Sequence, residues 1–279
     1  LTLLYVLSPP ALAQLARKRG WLGAAWRDAT QRYFLIACML PLALFALLSA
    51  VKLIGLHWLL SFVPFFFIGA ALVLTREQLR SSVVFLGLFS LLHVALILAA
   101  SAFPLEQWKS VRQYDGIVFH FRIAEVVREL QRFRGEFEFA ADGYSPAVTL
   151  SYYLQRAQTR DDGRKSYVPV FGVASSHARH DDILTDFRRL DGKNILVFRK
   201  NPPADDDYRP YFRSVDYRSF VLSGASFHLV LGRGFDYAAY RNRVLATVRE
   251  RYYRIPSYLP QGRCYFCERY FDAPTCPAG

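Results

Sequence analysis

Ser81–Phe103 reads SSVVFLGLFSLLHVALILAASAF, 23 residues without one formally charged side chain. A helix rises about 1.5 Å per residue, so a run of this length covers the roughly 30 Å hydrocarbon core of a bilayer. Working back toward the start of the chain, Leu53–Thr75 is another uncharged run of 23 residues, and Tyr33–Val51 is one of 19. Leu1–Ala16 is uncharged too, but short. The pattern predicts four membrane spans, at about 1–16, 33–51, 53–75 and 81–103, the first of them truncated. Pro41 and Pro64 are tolerable in such helices, because neighbouring helices absorb the freed carbonyls. Three uncharged runs joined by short polar turns do not suit the buried helices of a soluble core. A signal peptide does not explain the start, since there is no basic n-region and Pro9-Pro10 interrupts the apolar stretch. The chain opens on Leu rather than Met, and the expectation is a C-terminal piece of a longer polytopic protein or a processed one.

Charge divides at the same place. The chain is 53% hydrophobic yet carries a formal charge of +12. Residues 1–103 hold eight Lys/Arg and two acids, Asp28 and Glu77, leaving 27 of the 35 basic and 21 of the 23 acidic groups to residues 104–279. That is a membrane part, 1–103, followed by a water-soluble part, 104–279, and it excludes a disordered tail or a disulfide miniprotein. Arg17, Lys18, Arg19, Arg27 and Arg32 crowd the first loop, and Arg76 and Arg80 sit in the third, whereas the second offers only Lys52. Basic loops stay cytoplasmic, so the fourth span delivers residues 104–279 to the extracytoplasmic, periplasmic side of a bacterial inner or plasma membrane.

The outer turn, Ser49-Ala50-Val51-Lys52-Leu53-Ile54-Gly55-Leu56-His57-Trp58, has two readings. Lysine snorkels from helix ends and Trp belongs to the interfacial aromatic belt. Alternatively, Lys52 and His57 present a cation and a donor at headgroup depth, where a lipid phosphate lies, and Lys is a serviceable phosphate partner.

This Ser–x2–Lys–x4–His-Trp turn, followed by a Pro-containing apolar helix, resembles a group within the GT-C glycosyltransferases. These are the polyprenyl-phosphate-sugar-dependent enzymes related to protein O-mannosyltransferases and the lipid A aminoarabinose transferase. Leu7-Ser8-Pro9-Pro10 is similar to a helix end in such proteins. Asp142-Gly143-Tyr144-Ser145 leading to Leu150-Ser151-Tyr152-Tyr153-Leu154, and Leu190-Asp191-Gly192-Lys193-Asn194-Ile195-Leu196-Val197, resemble parts of their C-terminal periplasmic domain. The resemblance implies a polyprenyl-phosphate-linked sugar as donor, held with help from Lys52, His57 and Trp58. The acceptor would be a protein, lipid or glycan on the outer face. It also implies an acidic catalytic residue on an early outer loop. General-base activation needs such a group in reach of the acceptor proton, yet Asp28 and Glu77 are both assigned to the cytoplasmic side. The expectation is that the catalytic acid lies upstream of Leu1, that no catalytic residue is found here, and that these residues alone are inactive. The sequence names no cofactor and leaves a divalent metal requirement open.

Residues 104–279 alternate helical and strand patterns, predicting an α/β or α+β layer domain with a mixed sheet. Helices are expected at Phe121–Phe133, Ser145–Ala157, His180–Leu190 and Tyr237–Tyr253, and strands at Glu136–Ala141, Tyr167–Val173, Asn194–Arg199, Phe212–Leu222 and Phe227–Leu231. Gly232-Arg233-Gly234 lacks the rest of a dinucleotide fingerprint. His177, His180, Asp181 and Asp182 are ligand-type residues, but at a helix start the acids read better as dipole partners. Cys264-x2-Cys267 and Cys276 close the chain and Cys38 lies in a span. Three thiols fall short of the four ligands of a structural zinc site. A thioredoxin-type pair belongs at a strand-to-helix junction rather than in a Tyr/Pro-rich tail, so outside the cytoplasm a disulfide involving Cys276 is the simpler expectation. The Arg- and Tyr-rich stretches Arg209–Arg218 and Arg241–Arg254 could stack on single strands. A balance of +6 on the outer side of a membrane suits lipid headgroups or an anionic glycan better, and nucleic acid is not expected. The competing reading, from a different class, is a non-enzymatic membrane-anchored protein that binds or assembles envelope components.

Overall fold

The computed structural model describes residues 7–50, 55–157, 167–172, 181–204, 207–258 and 260–277. The chain forms two compact units, Leu1–Phe103 and Pro104–Gly279.

Two helices of the first unit are long and apolar enough to cross a membrane, Ala29–Leu48 and Arg76–Ala102. Their starts are fixed by side-chain caps. Asp28 accepts a hydrogen bond from the Gln31 backbone N–H at 2.8 Å. Thr75 and Gln78 form a reciprocal capping box, Oγ1 accepting from the Gln78 N–H at 3.4 Å and Oε1 accepting from the Thr75 N–H at 3.0 Å. The 27 residues of Arg76–Ala102 rise about 40 Å, more than a bilayer core. Leu88, Leu91, Ile97 and Leu98 on it are all more than half exposed. A core helix of a soluble protein buries such residues; these face outward, and a contiguous apolar surface of that kind marks a membrane or partner contact.

The run expected as one span over 53–75 contains two helical pieces, Leu56–Leu60 and Val63–Val73. The break falls at Ser61-Phe62, and Pro64 sits in the first turn of the second piece, where its missing N–H costs nothing and its ring bars a continuous helix. Val63–Val73 runs antiparallel to Ala29–Leu48: a Cβ on Gly69 would lie 3.7 Å from Phe34 Cβ, and the Phe62 and Phe45 rings are 6.1 Å apart. Of the expected first span, residues 1–6 lie outside the described residues, and Pro9–Arg17 is a helix of nine residues with both prolines at its start. A further short helix, Trp21–Arg27, leads into Ala29–Leu48. Lys18 Nζ donates to the Val73 carbonyl at 2.5 Å, at the C-terminal end of the Val63–Val73 helix where a cation is favoured. The first and third basic loops therefore share one end of the unit.

The second unit is a mixed four-stranded sheet between two helical layers. β1 (Glu138–Ala141), β2 (Ile195–Arg199), β3 (Phe212–Leu222) and β4 (Ala225–Phe235) are ordered β1-β2-β4-β3. β1 and β2 are parallel, and the other pairings antiparallel. β2 is central because Ile195, Leu196, Val197 and Phe198 are all buried, with alternate residues feeding the two faces. On one face, Leu196, Phe198, Phe227 and Leu229 pack against Phe119, Leu130 and Leu150 of helices Tyr114–Phe121, Ile123–Gln131 and Tyr144–Ala157. On the other, Val197, Val230 and Phe235 meet Phe171, Phe187, Tyr240 and Tyr270. β3 and β4 are joined by a two-residue turn, Ser223 and Gly224, at φ 50° and 82°. Left-handed values at both positions define the type I′ turn that matches strand twist.

Several boundaries differ from the periodicity. The helix expected over Phe121–Phe133 is Ile123–Gln131, and it is preceded across Arg122 by a helix that periodicity did not mark, Tyr114–Phe121. The strand expected over Tyr167–Val173 is a single parallel bridge, Val170 to Ala141, and Val173 itself lies outside the described residues. The helix expected over His180–Leu190 is Asp181–Leu184 followed by a 3-10 turn, Phe187–Leu190. Between them Asp186 binds the Arg188 guanidinium at 2.8 and 3.0 Å, engaging a side chain that otherwise competes for backbone groups. The closing helix spans Tyr237–Tyr252 through a π-helical turn at Arg241–Leu245. The C-terminal tail holds a helix that the sequence reading did not place, Tyr265–Phe271, with Phe266, Cys267 and Tyr270 buried at helical spacing.

Candidate functional site

Three places bear on function, and only the first was singled out by sequence. Of the outer-turn residues, Lys52 lies outside the described residues, and His57 falls in the Leu56–Leu60 helix with its side chain outside them as well. Trp58 is described. It is 44% exposed, its ring is 5.9 Å from that of Phe45, and Phe45 in turn meets Phe62. This aromatic group caps the end of Ala29–Leu48 that is remote from Lys18, Val73 and the basic loops. The two acids of the unit sit at the opposite end from Trp58, Asp28 capping Ala29–Leu48 and Glu77 in the first turn of Arg76–Ala102. Neither is placed to act beside the aromatic group.

Below the aromatic group lies an open cavity of about 240 Å³, lined by the Pro9–Arg17, Trp21–Arg27, Ala29–Leu48 and Val63–Val73 helices. Leu12, Leu15, Trp21, Phe34, Met39 and Phe66 are among its walls. The surface they offer is almost all apolar, so hydrocarbon is favoured there over a charged or strongly hydrogen-bonding ligand. Along Ala29–Leu48 the lining runs from Phe34 to Met39, a depth of about 9–17 Å below Phe45 at 1.5 Å per residue. No spacing rule in the sequence marks the cavity: its walls come from four separate helices.

The third place is at the carboxyl ends of parallel β1 and β2, where ligands gather in open α/β sheets. Asp142 follows β1 and Arg199 ends β2. Arg199 Nε donates to Asp142 Oδ2 at 3.2 Å, and its Nη1 donates to Asp207 Oδ2 at 3.0 Å. The guanidinium lies 5.5 Å from the Tyr208 ring centroid. Burial raises the Asp142 carboxyl above its ordinary value, and the Arg199 charge and hydrogen bond oppose that without cancelling it. Burial likewise pushes the Tyr208 phenol strongly up. These groups tie the end of β1 to the segment after β2. The available signal was a strand running into Asp142-Gly143 and an arginine closing a second strand.

The cysteines are arranged differently from the sequence expectation. Cys264 and Cys267 form a disulfide with each other, and Cys276 is free. The CxxC pair sits at the start of a helix rather than in an irregular tail. His177 and His180 lie outside the described residues, and of Asp181 and Asp182 only the backbone is described. Gly232-Arg233-Gly234 is part of β4, where Gly232 leaves room for the Phe212 ring, and is not a phosphate loop. Arg188, Arg263 and Arg269 line a depression of about 340 Å³, but each is held within the protein, by Asp186, by Glu268 and by the Ile183 carbonyl. Comparison with protein-family models, curated proteins and solved structures gives no significant match to this chain.

Proposed function

We propose that this chain is the C-terminal part of an integral-membrane glycosyltransferase that uses a polyprenyl-phosphate-linked sugar on the extracytoplasmic face. The observation that carries the reading is the apolar cavity set about 9–17 Å along Ala29–Leu48 from the Phe45–Trp58 group; Lys52 and His57 belong to the sequence that joins Phe45 to Trp58. The isoprenoid would occupy the cavity, Trp58 would lie at headgroup depth, and Lys52 would supply the cation for the phosphate. The sequence resemblance of the same turn to GT-C enzymes points to the same donor class. Residues 104–279, with their excess of arginine, would face an anionic or glycan acceptor. The acid/base group that the transfer needs is not among the described residues at the Trp58 end, so on this reading these residues bind the donor and are inactive alone.

The asymmetry of the acids also favours the second reading, in which the spans anchor a binding or assembly module without catalysis. Photocrosslinking separates the two. With the full-length protein in nanodiscs, a diazirine-bearing polyprenyl monophosphate is expected to label peptides containing Phe34–Met39 and Phe65–Ala70, and Lys52→Ala to weaken that labelling and lower lipid-sugar turnover. Labelling spread over the outward residues of Arg76–Ala102, indifferent to Lys52→Ala, would remove the donor site.

A further inference from the structure

The end of the chain gathers three sulfurs in one place. Cys264 is the N-cap of the Tyr265–Phe271 helix and Cys267 lies in its first turn. They are bonded to each other, and both are almost completely buried. Backbone contacts bring Cys276 back to them. Asp272 leaves the helix in the left-handed conformation at φ 52°, and the Ala273 N–H donates to the Cys267 carbonyl at 3.3 Å. The Cys264 N–H then donates to the Pro274 carbonyl at 2.9 Å, and Arg263 and Thr275 form an antiparallel bridge. None of these contacts involves sulfur, so the position of Cys276 is set by the fold and not by a bond it makes. The three Sγ atoms lie within 4.8 Å of one another, and Cys276 is a free, half-buried thiol.

We propose that Cys264, Cys267 and Cys276 form a thiol–disulfide exchange site, in which Cys276 connects a buried disulfide to external thiols. In the first step the Cys276 thiolate attacks Cys267 Sγ. A Cys267–Cys276 bond forms, the Cys264–Cys267 bond breaks, and its electron pair leaves on Cys264 Sγ. The proton lost by Cys276 goes to water and Cys264 takes one back, so the exchange consumes no oxidant or reductant. The direction follows from a hydrogen bond: Cys264 Sγ accepts the Cys267 backbone N–H at 3.2 Å. A sulfur that already accepts an N–H is the better-stabilised thiolate and the better leaving group, which makes Cys267 the attacked atom. The consequence is access. Both partners of the original bond are buried, whereas the new bond includes Cys276, which reaches the surface. An external thiolate attacks Cys276 Sγ, forms a mixed disulfide with it and releases Cys267 as thiolate.

The test uses the full chain in detergent micelles. Free thiols are blocked with N-ethylmaleimide at mildly acidic pH, which halts exchange, and the label is mapped by mass spectrometry, Cys38 being counted on its own peptide. The label is expected on both Cys276 and Cys264 and not on Cys267. In Cys264→Ser, oxidised glutathione should join Cys267 to Cys276. In Cys276→Ser, reduction of the buried bond by dithiothreitol should slow about tenfold or more, because its gateway is lost. Label on Cys276 alone, two free thiols in Cys264→Ser after treatment with oxidised glutathione, or zinc retained by three unlabelled thiols would each overturn the proposal.

Discussion

Arg199→Met removes the guanidinium between Asp142 and Asp207 while keeping aliphatic volume against the Tyr208 ring. The Arg199 and Asp142 side chains are only 16% and 21% exposed. At their separation of 3.2 Å and an effective dielectric of about 20, the attraction is roughly 5 kcal/mol before desolvation is subtracted. Removing one partner of a buried pair costs about 3–5 kcal/mol, and a residual exposure near a fifth places this pair at the lower end, about 3 kcal/mol. For backbone amides that exchange only when the whole unit opens, that is a roughly 150-fold acceleration. β2 supplies such amides, so hydrogen–deuterium exchange of its peptide in the full chain is the assay. The pH dependence has a definite sign. The Asp142 carboxyl already has a raised value in the fold, so the native state binds its proton more tightly than the unfolded state does. Stability from this group therefore falls as pH rises from the ordinary carboxylate value through the raised one. Without Arg199 the value rises further, so the penalty is largest at neutral pH and shrinks as acid protonates Asp142. Equal acceleration at neutral and mildly acidic pH, or none at neutral pH, would refute the assignment of Asp142 and Arg199 as a coupled buried pair.

Two further substitutions probe the packing on each unit. Gly232→Ala puts a Cβ 2.5 Å from the Phe212 ring carbons, and that ring is held by Phe171 and Phe235 at 5.7 and 5.6 Å. It should cost about 1–3 kcal/mol, read as faster exchange across β3 and β4. Ala70→Phe places a ring in the apolar cavity of the first unit and should abolish crosslinking of the polyprenyl probe to Phe34–Met39; undiminished crosslinking would show that the lipid lies elsewhere.

Charge and hydrophobic run length carried the division of the chain, because lipid-facing helices must be apolar along their whole length and soluble ones need not be. Run length could not show that Pro64 splits the second apolar helix from the residues before it, since a span containing proline is equally compatible with hydropathy. In the sheet unit, β3 was legible to the residue, its ends marked by Pro210 and by Ser223-Gly224. β4 was read too short, because Ser226 and Gly232 break the apolar alternation while still pairing with β3. The C-terminal helix was hidden by its Tyr- and Pro-rich surroundings, although Phe266 and Tyr270 stand at helical spacing. Asp142 and Arg199 lie 57 positions apart. A contact of that kind is made by parallel pairing of β1 and β2, which no local pattern encodes.

The polarity of the first unit constrains its chemistry more than any motif does. One end gathers Lys18, Asp28, Arg76 and Glu77, of which Asp28 caps one helix and Lys18 bonds the last carbonyl of another. The other gathers Phe45, Trp58 and Phe62, and the apolar cavity lies between the two ends. Charges spent on caps are positional: Asp28 accepts the Gln31 N–H, and Lys18 donates to Val73. Activating an acceptor hydroxyl needs a carboxylate within hydrogen-bond reach of it, and a helix of 20 residues such as Ala29–Leu48 separates its ends by about 30 Å. Under the proposed function, then, Asp28 and Glu77 are excluded from proton transfer by distance. Donor binding and proton transfer must be supplied by different parts of the enzyme, and a variant that removes the cavity should lose donor affinity without any change in the pH profile of the turnover that remains.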